Sequence, residues 1–264
     1  TIGSSITYVF RAADNTWNPK VQNAQSFVWT PPSGGGSIPA GWDLTNLQVL
    51  YNGDSQAGAD GSAITTINDE HGVITTVPHQ NLVVNVAAAG GDSEFDFANA
   101  LAELEIPTQT ETEFASLGGG YSMAVVLGER LNSTNGQTLW AKNDKSVGTA
   151  ESAIYMNETG PGNIYAEMYG YGEAAVLGAL SEGDLIVMVS ETNGSFNQFR
   201  FYLNGVLQPT VDTAERAERA FNWYFGAQKN GAGFADIFDG TLKVIALYSG
   251  QLTPAEQVTM AAAY

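Results

Sequence analysis

The sequence predicts an all-β protein, a sandwich of two antiparallel sheets with a short C-terminal helix and an N-terminal arm. Three observations carry this prediction: repeated Asn-Gly pairs, apolar segments that alternate with a period of two, and few helical signals. Asn-Gly pairs favour the left-handed backbone angles of tight β-hairpins. They occur at residues 52–53, 135–136, 193–194, 204–205 and 230–231.

The segments between these turns have strand-like composition. They read YSMAVVLGE, QTLWAKND, SAIYMNE, NIYAEMYGYG, DLIVMVSETN, NQFRFYLNG, AFNWYFGAQ and TLKVIALYSG. In FRFYLNGV, Phe199, Phe201 and Leu203 share one face. Arg200, Tyr202 and Asn204 share the other face, which we expect to meet water.

Helical signals concentrate at the C-terminus. Thr253 is a suitable N-cap, Pro254 occupies the first helical position, and Glu256 completes a capping box. The stretch TAERAERAFN (213–222) favours a single helical turn, and FANALAELEIP (97–107) is ambiguous between a short helix and a strand.

A domain boundary is indicated by TPPSGGGSIPAG, residues 30–41. Three glycines flanked by serine and proline interrupt both strands and helices. We therefore divide the chain into an arm, residues 1–39, and a sandwich, residues 40–264. The alternative is that ITYVFRA and QSFVWTP in the arm complete an edge of the same sandwich.

Composition excludes several function classes. Ten basic and 28 acidic residues give a formal charge of -18, which repels phosphate backbones and anionic lipids. We therefore expect no nucleic-acid binding. We also expect no membrane insertion, because no apolar run is long enough to cross a bilayer. The absence of cysteine excludes disulfides and thiolate metal sites.

Several motifs lie in the same order as in a known superfamily. FRFYLNGVLQPT resembles its strand, Asn-Gly turn and strand, and NWYFGAQKNGAGFADIFDGTLKVIALYSGQLTPAEQ resembles its closing segments, with FDG at 238–240. WDLTNLQVLYNGDSQAGADG and SEFDFANALAELEIP are similar to its opening strands. Residues 42–264 thus resemble the concanavalin A-like lectin/glucanase superfamily in its laminin-G-like version. The resemblance implies a jelly-roll sandwich, in a group that includes lectins, hydrolases, adhesion modules and virion proteins.

The glycoside-cleaving members of that superfamily carry an E-x-D-x-x-E strand, and this spacing does not occur here. The nearest acid pairs are Glu111 with Glu113 and Glu103 with Glu105, each interpreted as a strand-edge pair. His71 is interpreted as a solvated loop residue. We therefore expect no catalytic residues.

Calcium is the one cofactor that the sequence suggests, because loop aspartates supply the oxygen ligands it prefers. The candidate metal ligands are Asp54, Asp60 and Asp92, with Asp236 or Asp239 as further candidates. The alternative is turn chemistry, in which these side chains bond nearby backbone amides.

Sugar binding would use aromatic platforms beside polar groups. Tyr165, Tyr169 and Tyr171 are the candidate ligand-binding residues, since their spacing allows one shared strand face. The alternative is that these tyrosines fill the core.

Three functions remain open at this stage. The first is a non-enzymatic structural protein on a virion surface or outside a cell, with bacteriophage decoration, cement or tail proteins implied by resemblance. Its arm would bind neighbouring subunits, in a homo-oligomer, through Trp17, Phe27 and Trp29. The second is a lectin-like module that binds a cell-surface glycan, and the third is a glycoside hydrolase or lyase.

Overall fold

A computed structural model of the chain divides into two compact units, Thr1–Gly35 and Gly36–Tyr264. All residues described below belong to the second unit. They are 41–42, 45–56, 59–67, 69–70, 79–80, 82–86, 93–97, 102–106, 120–131, 137–144, 149–156, 164–168, 172–178, 180–193, 196–208 and 222–264. The predicted arm, residues 1–39, lies outside this part, so its boundary stays a prediction.

The first sheet has eight antiparallel strands in the order β13-β12-β11-β6-β17-β4-β3, with β1 also paired to β17. The long central strands carry unbroken apolar runs, as expected of strands buried on both faces. Their bounds are β1 Leu47–Asn52, β3 Val83–Val86, β4 Ser93–Asp96, β6 Tyr121–Leu131, β11 Leu185–Asn193, β12 Phe196–Leu203, β13 Val206–Leu207 and β17 Gly240–Ser249.

The second sheet has seven antiparallel strands in the order β10-β9-β8-β7-β14-β5-β2. Their bounds are β2 His79–Gln80, β5 Glu103–Ile106, β7 Gln137–Asp144, β8 Thr149–Met156, β9 Ile164–Met168, β10 Gly172–Gly178 and β14 Trp223–Phe225. A separate hairpin joins β15 Gln228–Asn230 to β16 Gly233–Ala235. The predicted all-β class is confirmed, and the ambiguous segment before residue 107 contains strand β5.

The inner core lies between the two sheets. Alternate residues of both sheets meet there, including Met123, Ile245 and Phe201 from the first sheet and Trp140 and Phe225 from the second. Tyr121 and Trp223 cross the layer edge to face, with ring centroids 5.6 Å apart. Burying each such side chain contributes roughly 1.5–3 kcal/mol, so this layer fixes the register of both sheets.

A second apolar cluster covers the opposite face of the first sheet. Val187, Tyr202 and Val244 belong to it, together with Trp42 and Met260. The expectation that Tyr202 meets water is therefore wrong, since only 6% of this residue is exposed. The physical reason is that the first sheet is apolar on both faces, and the C-terminal helix supplies Met260 to the outer one.

The Asn204–Gly205 hairpin is confirmed. Tyr202 pairs with Leu207 and Leu203 with Val206, so the loop has two residues. Both have positive φ, 51° and 77°, as a type I′ turn requires. Phe201 is buried in the inner core and Leu203 packs against it, as the alternation predicts.

The Asn-Gly pairs at 230–231 and 52–53 differ in outcome. The first lies at the β15–β16 hairpin, but Asn230 ends β15 and pairs with Gly233, so the two-residue loop is Gly231–Ala232. The second opens a 3-10 turn, Gly53–Ser55, whose cap Asn52 accepts a hydrogen bond from the Asp54 amide. A Cβ on Gly53 would lie 2.2 Å from the Ser93 carbonyl oxygen, so close packing on β4 explains this glycine.

The C-terminal helix spans Pro254–Ala261 and begins as the sequence predicts. The Thr253 side chain accepts from the Glu256 amide, and the Glu256 carboxylate accepts from the Thr253 amide at 2.6 Å. Within the described ranges, no helix has the length and apolar character needed to cross a membrane. The predicted helical turn at 213–222 lies almost wholly outside the described residues.

Candidate functional site

The outer face of the second sheet carries a continuous row of paired residues. Tyr224 lies between two residues of the inner core, so it faces away from that core. Its partners are Glu105 on β5 and Ala141 on β7. Pairing then continues across β8, β9 and β10, and directly paired residues share a face. The six-residue row is Glu105, Tyr224, Ala141, Ala153, Glu167 and Glu173.

The residue types change along the row. Glu105 and Tyr224 lie at one end, two alanines occupy the centre, and Glu167 and Glu173 lie at the other end. Neighbouring strands lie about 4.8 Å apart, so five strand steps extend roughly 24 Å. The row is buried at Tyr224 and Ala141, so a ligand can reach only positions on either side of this pair.

An aromatic cluster builds the wall at the Tyr224 end. The β15–β16 hairpin packs on β7, which explains why Ala141 is buried. Phe234 of this hairpin meets Tyr224 edge to face, with centroids 5.6 Å apart. The Nζ of Lys229 lies 4.6 Å from the Phe234 centroid, a cation–π contact. The hairpin that turns at Gly231–Ala232 thus places the Phe234 ring and the Lys229 cation beside Tyr224.

Glu105 is held at the other side of Tyr224. The Nδ2 of Asn222, the residue just before β14, donates to its Oε1 and so orients this carboxylate. Glu103 and Glu105 lie in one strand, but the prediction of an exposed strand-edge pair is wrong for them. Strand β5 lies between β14 and β2, so Glu103 is buried and Glu105 is partly buried. Glu111, Glu113 and His71 lie outside the described residues.

Of the three tyrosines predicted to bind a ligand, the structure describes one, Tyr165. Tyr165 lies on β9 and pairs with Tyr155 on β8. Both are two register positions from the Ala153 and Glu167 pair. Tyr155 was missed by sequence reasoning, because pairing partners cannot be read from one strand. Tyr169 and Tyr171 lie outside the described residues.

The aspartates predicted to bind calcium are accounted for one by one below. Asp54 accepts from the Ser93 amide at 2.5 Å, and Asp60 is exposed in a turn. Asp92 lies outside the described part. Asp69 instead joins this region by accepting from the Leu50 amide at 2.8 Å. Among the described residues, no group of three or more His, Asp or Glu side chains is arranged to hold a metal ion.

Glu70 is the titratable group of this loop. Burial, with the charges of Asp54 and Asp69 nearby, raises the pKa of Glu70 to about 7, and a hydrogen bond from Ser55 opposes the rise. Its buried Oε1 has no hydrogen-bond partner in the structure. The sequence did not predict that Glu70 lies near Asp54, because the two residues are 16 positions apart in the chain.

A buried carboxylate lies on the outer face of the first sheet. Both oxygens of Glu94 accept from the Glu129 amide at 3.1 Å, and Asn85 donates to Oε2 at 3.4 Å. Burial raises the pKa of Glu94, and this rise is opposed by hydrogen bonds from Thr241 and from the Glu129 amide and by the charge of Lys243. This group was also missed, although its alternation with Phe95 places it away from the inner core.

The arm residues Trp17, Phe27 and Trp29, proposed as partner contacts, lie outside the described residues. They stay predictions, as do calcium binding and the homo-oligomer.

Comparison with known proteins identifies relatives in structure alone. No family model and no curated protein matches the chain. Domain 4 of an extracellular GH43 arabinanase from Geobacillus stearothermophilus, in complex with arabinotriose, is similar with a TM-score of 0.54 and 12% identity, over 82% of this chain and 98% of that one.

A second group of similar structures is the sialidase of Trypanosoma rangeli. A mutant with trans-sialidase activity has a TM-score of 0.57 and 13% identity, over 87% of this chain and 34% of that one. The sialidase in complex with sialic acid has a TM-score of 0.52 and 14% identity, over 87% and 34%. This chain therefore spans about a third of the sialidase. At these identities the comparisons show the fold, and that fold is a β-sandwich found in carbohydrate-active proteins.

Proposed function

We propose that this chain is a lectin-like, carbohydrate-binding β-sandwich module of the concanavalin A-like type. The observation that carries the proposal is the six-residue row on the outer face of the second sheet. At its Tyr224 end the partly exposed carboxylate of Glu105 and the partly exposed ring of Phe234 flank Tyr224, and a carboxylate acceptor beside an aromatic ring can bind a sugar by hydrogen bonding and stacking.

The two sheets differ in what their outer faces can do. The C-terminal helix packs on the first sheet, whose outer face is apolar around Val187 and Val244. The second sheet carries polar and aromatic residues at the corresponding place. A ligand that offers hydroxyl groups is better matched to the second face. The fold shared with an arabinanase domain in complex with arabinotriose supports the same class of ligand.

The direct test is glycan binding by the full chain. Arabinotriose and a glycan array are the probes, and Tyr165→Ala is the variant, since this position lies beside the row. We expect the affinity for the glycan to fall at least tenfold, while the free energy of unfolding stays unchanged. Tyr264→Ala is the matched control, because Tyr264 contacts Trp42 at the chain end and not the second sheet. Equal loss in both variants, or no binding by the parent chain, would contradict the proposal.

Cleavage of a glycan is the second candidate function, and it follows from the resemblance to a superfamily that includes hydrolases. Glu167 and Glu173 are directly paired residues of β9 and β10. Incubating the chain with arabinan, laminarin, agar or alginate should release no product if the module only binds. Product release that Glu173→Gln abolishes would establish the enzymatic function instead.

Display on a virion or outside a cell stays a prediction from the sequence. Imaging of the purified chain would test it, since a decoration or tail protein should form a symmetric assembly.

A further inference from the structure

Asn-Gly pairs carry a chemistry of their own besides forming turns. Glycine has no Cβ, so its backbone nitrogen can approach the side-chain carbonyl carbon of the asparagine before it. Three of these pairs lie within the described residues, at 52–53, 204–205 and 230–231. We propose that Asn230 undergoes spontaneous deamidation through Gly231. The fold protects Asn52 and Asn204 from the same reaction.

The reaction needs only the chain and water. The Gly231 amide nitrogen, after losing its proton, attacks Cγ of Asn230 and forms a new C–N bond. The bond from Cγ to Nδ2 then breaks, and Nδ2 leaves as ammonia with a proton in place of the one lost by the glycine. Water opens the resulting succinimide ring at either carbonyl carbon, which leaves an aspartate or an isoaspartate.

The Asn230 side chain is free to rotate towards Gly231. It is exposed at the tip of the hairpin, where β15 ends and the two-residue loop begins. Across the described ranges of the chain, no residue forms a hydrogen bond with its carboxamide. Ring closure at this position therefore breaks no side-chain hydrogen bond and starts in contact with water.

Asn204 is held by the fold, although a glycine follows it too. Its Oδ1 accepts from the Leu185 amide at 2.8 Å, and its Nδ2 donates to Oδ1 of Asp184 at 2.7 Å. Ring closure moves Cγ and releases Nδ2, so both hydrogen bonds must be lost on the way to the transition state. Their loss raises the activation barrier above that of an unheld carboxamide.

Asn52 is protected by burial, since only 3% of it is exposed. Its Oδ1 accepts from the Asp54 amide at 3.1 Å. Gly53 lies so close to the Ser93 backbone that a Cβ there would overlap it, which opposes the backbone movement that ring closure requires. Of the three described pairs, the one at Asn230 alone combines exposure with an unheld side chain.

The products would alter the hairpin that carries Phe234. Aspartate adds a negative charge next to Lys229 in the chain, and isoaspartate adds a methylene group to the backbone before Gly231. Asn230 pairs with Gly233 across the loop, so a longer backbone should disturb this pairing. Deamidation therefore slowly changes one structural element of the candidate site, whatever ligand that site binds.

Peptide mapping of the full chain tests the proposal. The chain is incubated for several weeks at mildly alkaline pH, folded or in urea, then digested with pepsin in acid and analysed by mass spectrometry. In the folded chain we expect Asn230 to convert at least about tenfold faster than Asn204, because two hydrogen bonds hold the latter. In urea the two rates should converge, since those bonds are absent. Equal rates in the folded chain, or faster conversion of Asn204, would overturn the proposal.

Two variants separate the effect of the fold from that of the local sequence. Asn230→Gln keeps an amide but requires a larger ring that closes more slowly, so this position should stay unmodified. Asp184→Ala removes one of the two bonds that hold Asn204, and should speed deamidation there several-fold while the rate at Asn230 stays unchanged. Circular dichroism checks that both variants are folded. If a folded Asp184→Ala chain converts Asn204 no faster than the parent, the proposed protection is wrong.

Discussion

The carboxylate of Glu94 is completely buried 3.9 Å from the ammonium nitrogen of Lys243, on the outer face of the first sheet. Lys243 also reaches out to Glu182, whose Oε1 lies 2.9 Å from Nζ and whose side chain is 52% exposed. One lysine therefore joins a buried acid to an exposed one, and the two contacts should differ in energy.

Replacing Lys243 with Met should destabilise the fold by about 1–3 kcal/mol at pH 8, because Glu94 keeps its charge without a cation nearby. The loss should shrink at pH 5, since burial raises the pKa of Glu94 and a protonated carboxyl needs no cation. Urea unfolding at both pH values measures this. Glu182→Gln is the control and should cost under about 1 kcal/mol, as an exposed ion pair does. Equal costs for the two variants would contradict the prediction.

Glu70 should make stability depend on pH near neutrality. Its folded pKa of about 7 exceeds the usual 4.5, so the fold favours the protonated carboxyl. The stability it contributes is fully present below about pH 4.5 and is lost as pH rises through 7. Glu70→Gln should therefore raise the melting temperature at pH 8 and flatten its dependence between pH 5 and 8. Asp60→Asn, which removes an exposed carboxylate, should leave that slope unchanged. A slope unaffected by Glu70→Gln would exclude this role.

Gly205 is required by its neighbour as well as by its backbone angle. A Cβ there would lie 2.4 Å from Cγ2 of Val258 in the C-terminal helix, and φ is +77°. Gly61 has nearly the same angle, +74°, with nothing within 4 Å. Gly61→Ala should cost about 1–2 kcal/mol for the left-handed backbone alone. Gly205→Ala should cost about 1–3 kcal/mol more, for the forced displacement of the helix. Chemical denaturation of both variants measures the difference, and equal costs would show that the helix yields freely.

Thr253 should contribute a measurable part of the helix stability. Its Oγ1 accepts from the Glu256 amide at 3.3 Å, and its own amide donates to the Glu256 carboxylate. Thr253→Ala should destabilise the protein by about 0.5–2 kcal/mol, whereas Thr253→Ser should keep most of that stability because the hydroxyl remains. Thermal unfolding of the two variants measures this difference in stability. A serine variant as unstable as the alanine variant would mean that the lost methyl group, and not the cap, carries the effect.

Local patterns in the sequence were enough to predict the β-hairpin and the helix. The pair Asn204–Gly205 forms the two-residue loop because both residues tolerate positive φ, and Thr253 caps the helix with Glu256, three residues further on. Such signals need no knowledge of distant parts of the chain, which is why they are confirmed.

Features that depend on distant pairing could not be predicted. Alternation assigns Tyr202 to the face opposite Phe201, but what covers that face is decided by Trp42 and Met260, far away in the chain. Asn52–Gly53 has the composition of a hairpin turn, yet contact with the Ser93 backbone makes it a 3-10 turn.

The candidate site was predictable only as residue types. Aromatic and acidic residues in strands are visible in the sequence, whereas the row from Glu105 to Glu173 exists because six strands align in one register. In the second sheet β14 lies between β5 and β7, although it is far from both in the sequence.

The apolar outer wall of the first sheet makes the last dozen residues a protective cover. Leu252 and Met260 are buried against that wall, so the segment that carries them shields it from water. A protease cut at residue 251 would weaken this shield and expose apolar side chains of the first sheet. Cleaved molecules should then associate with one another through the exposed face.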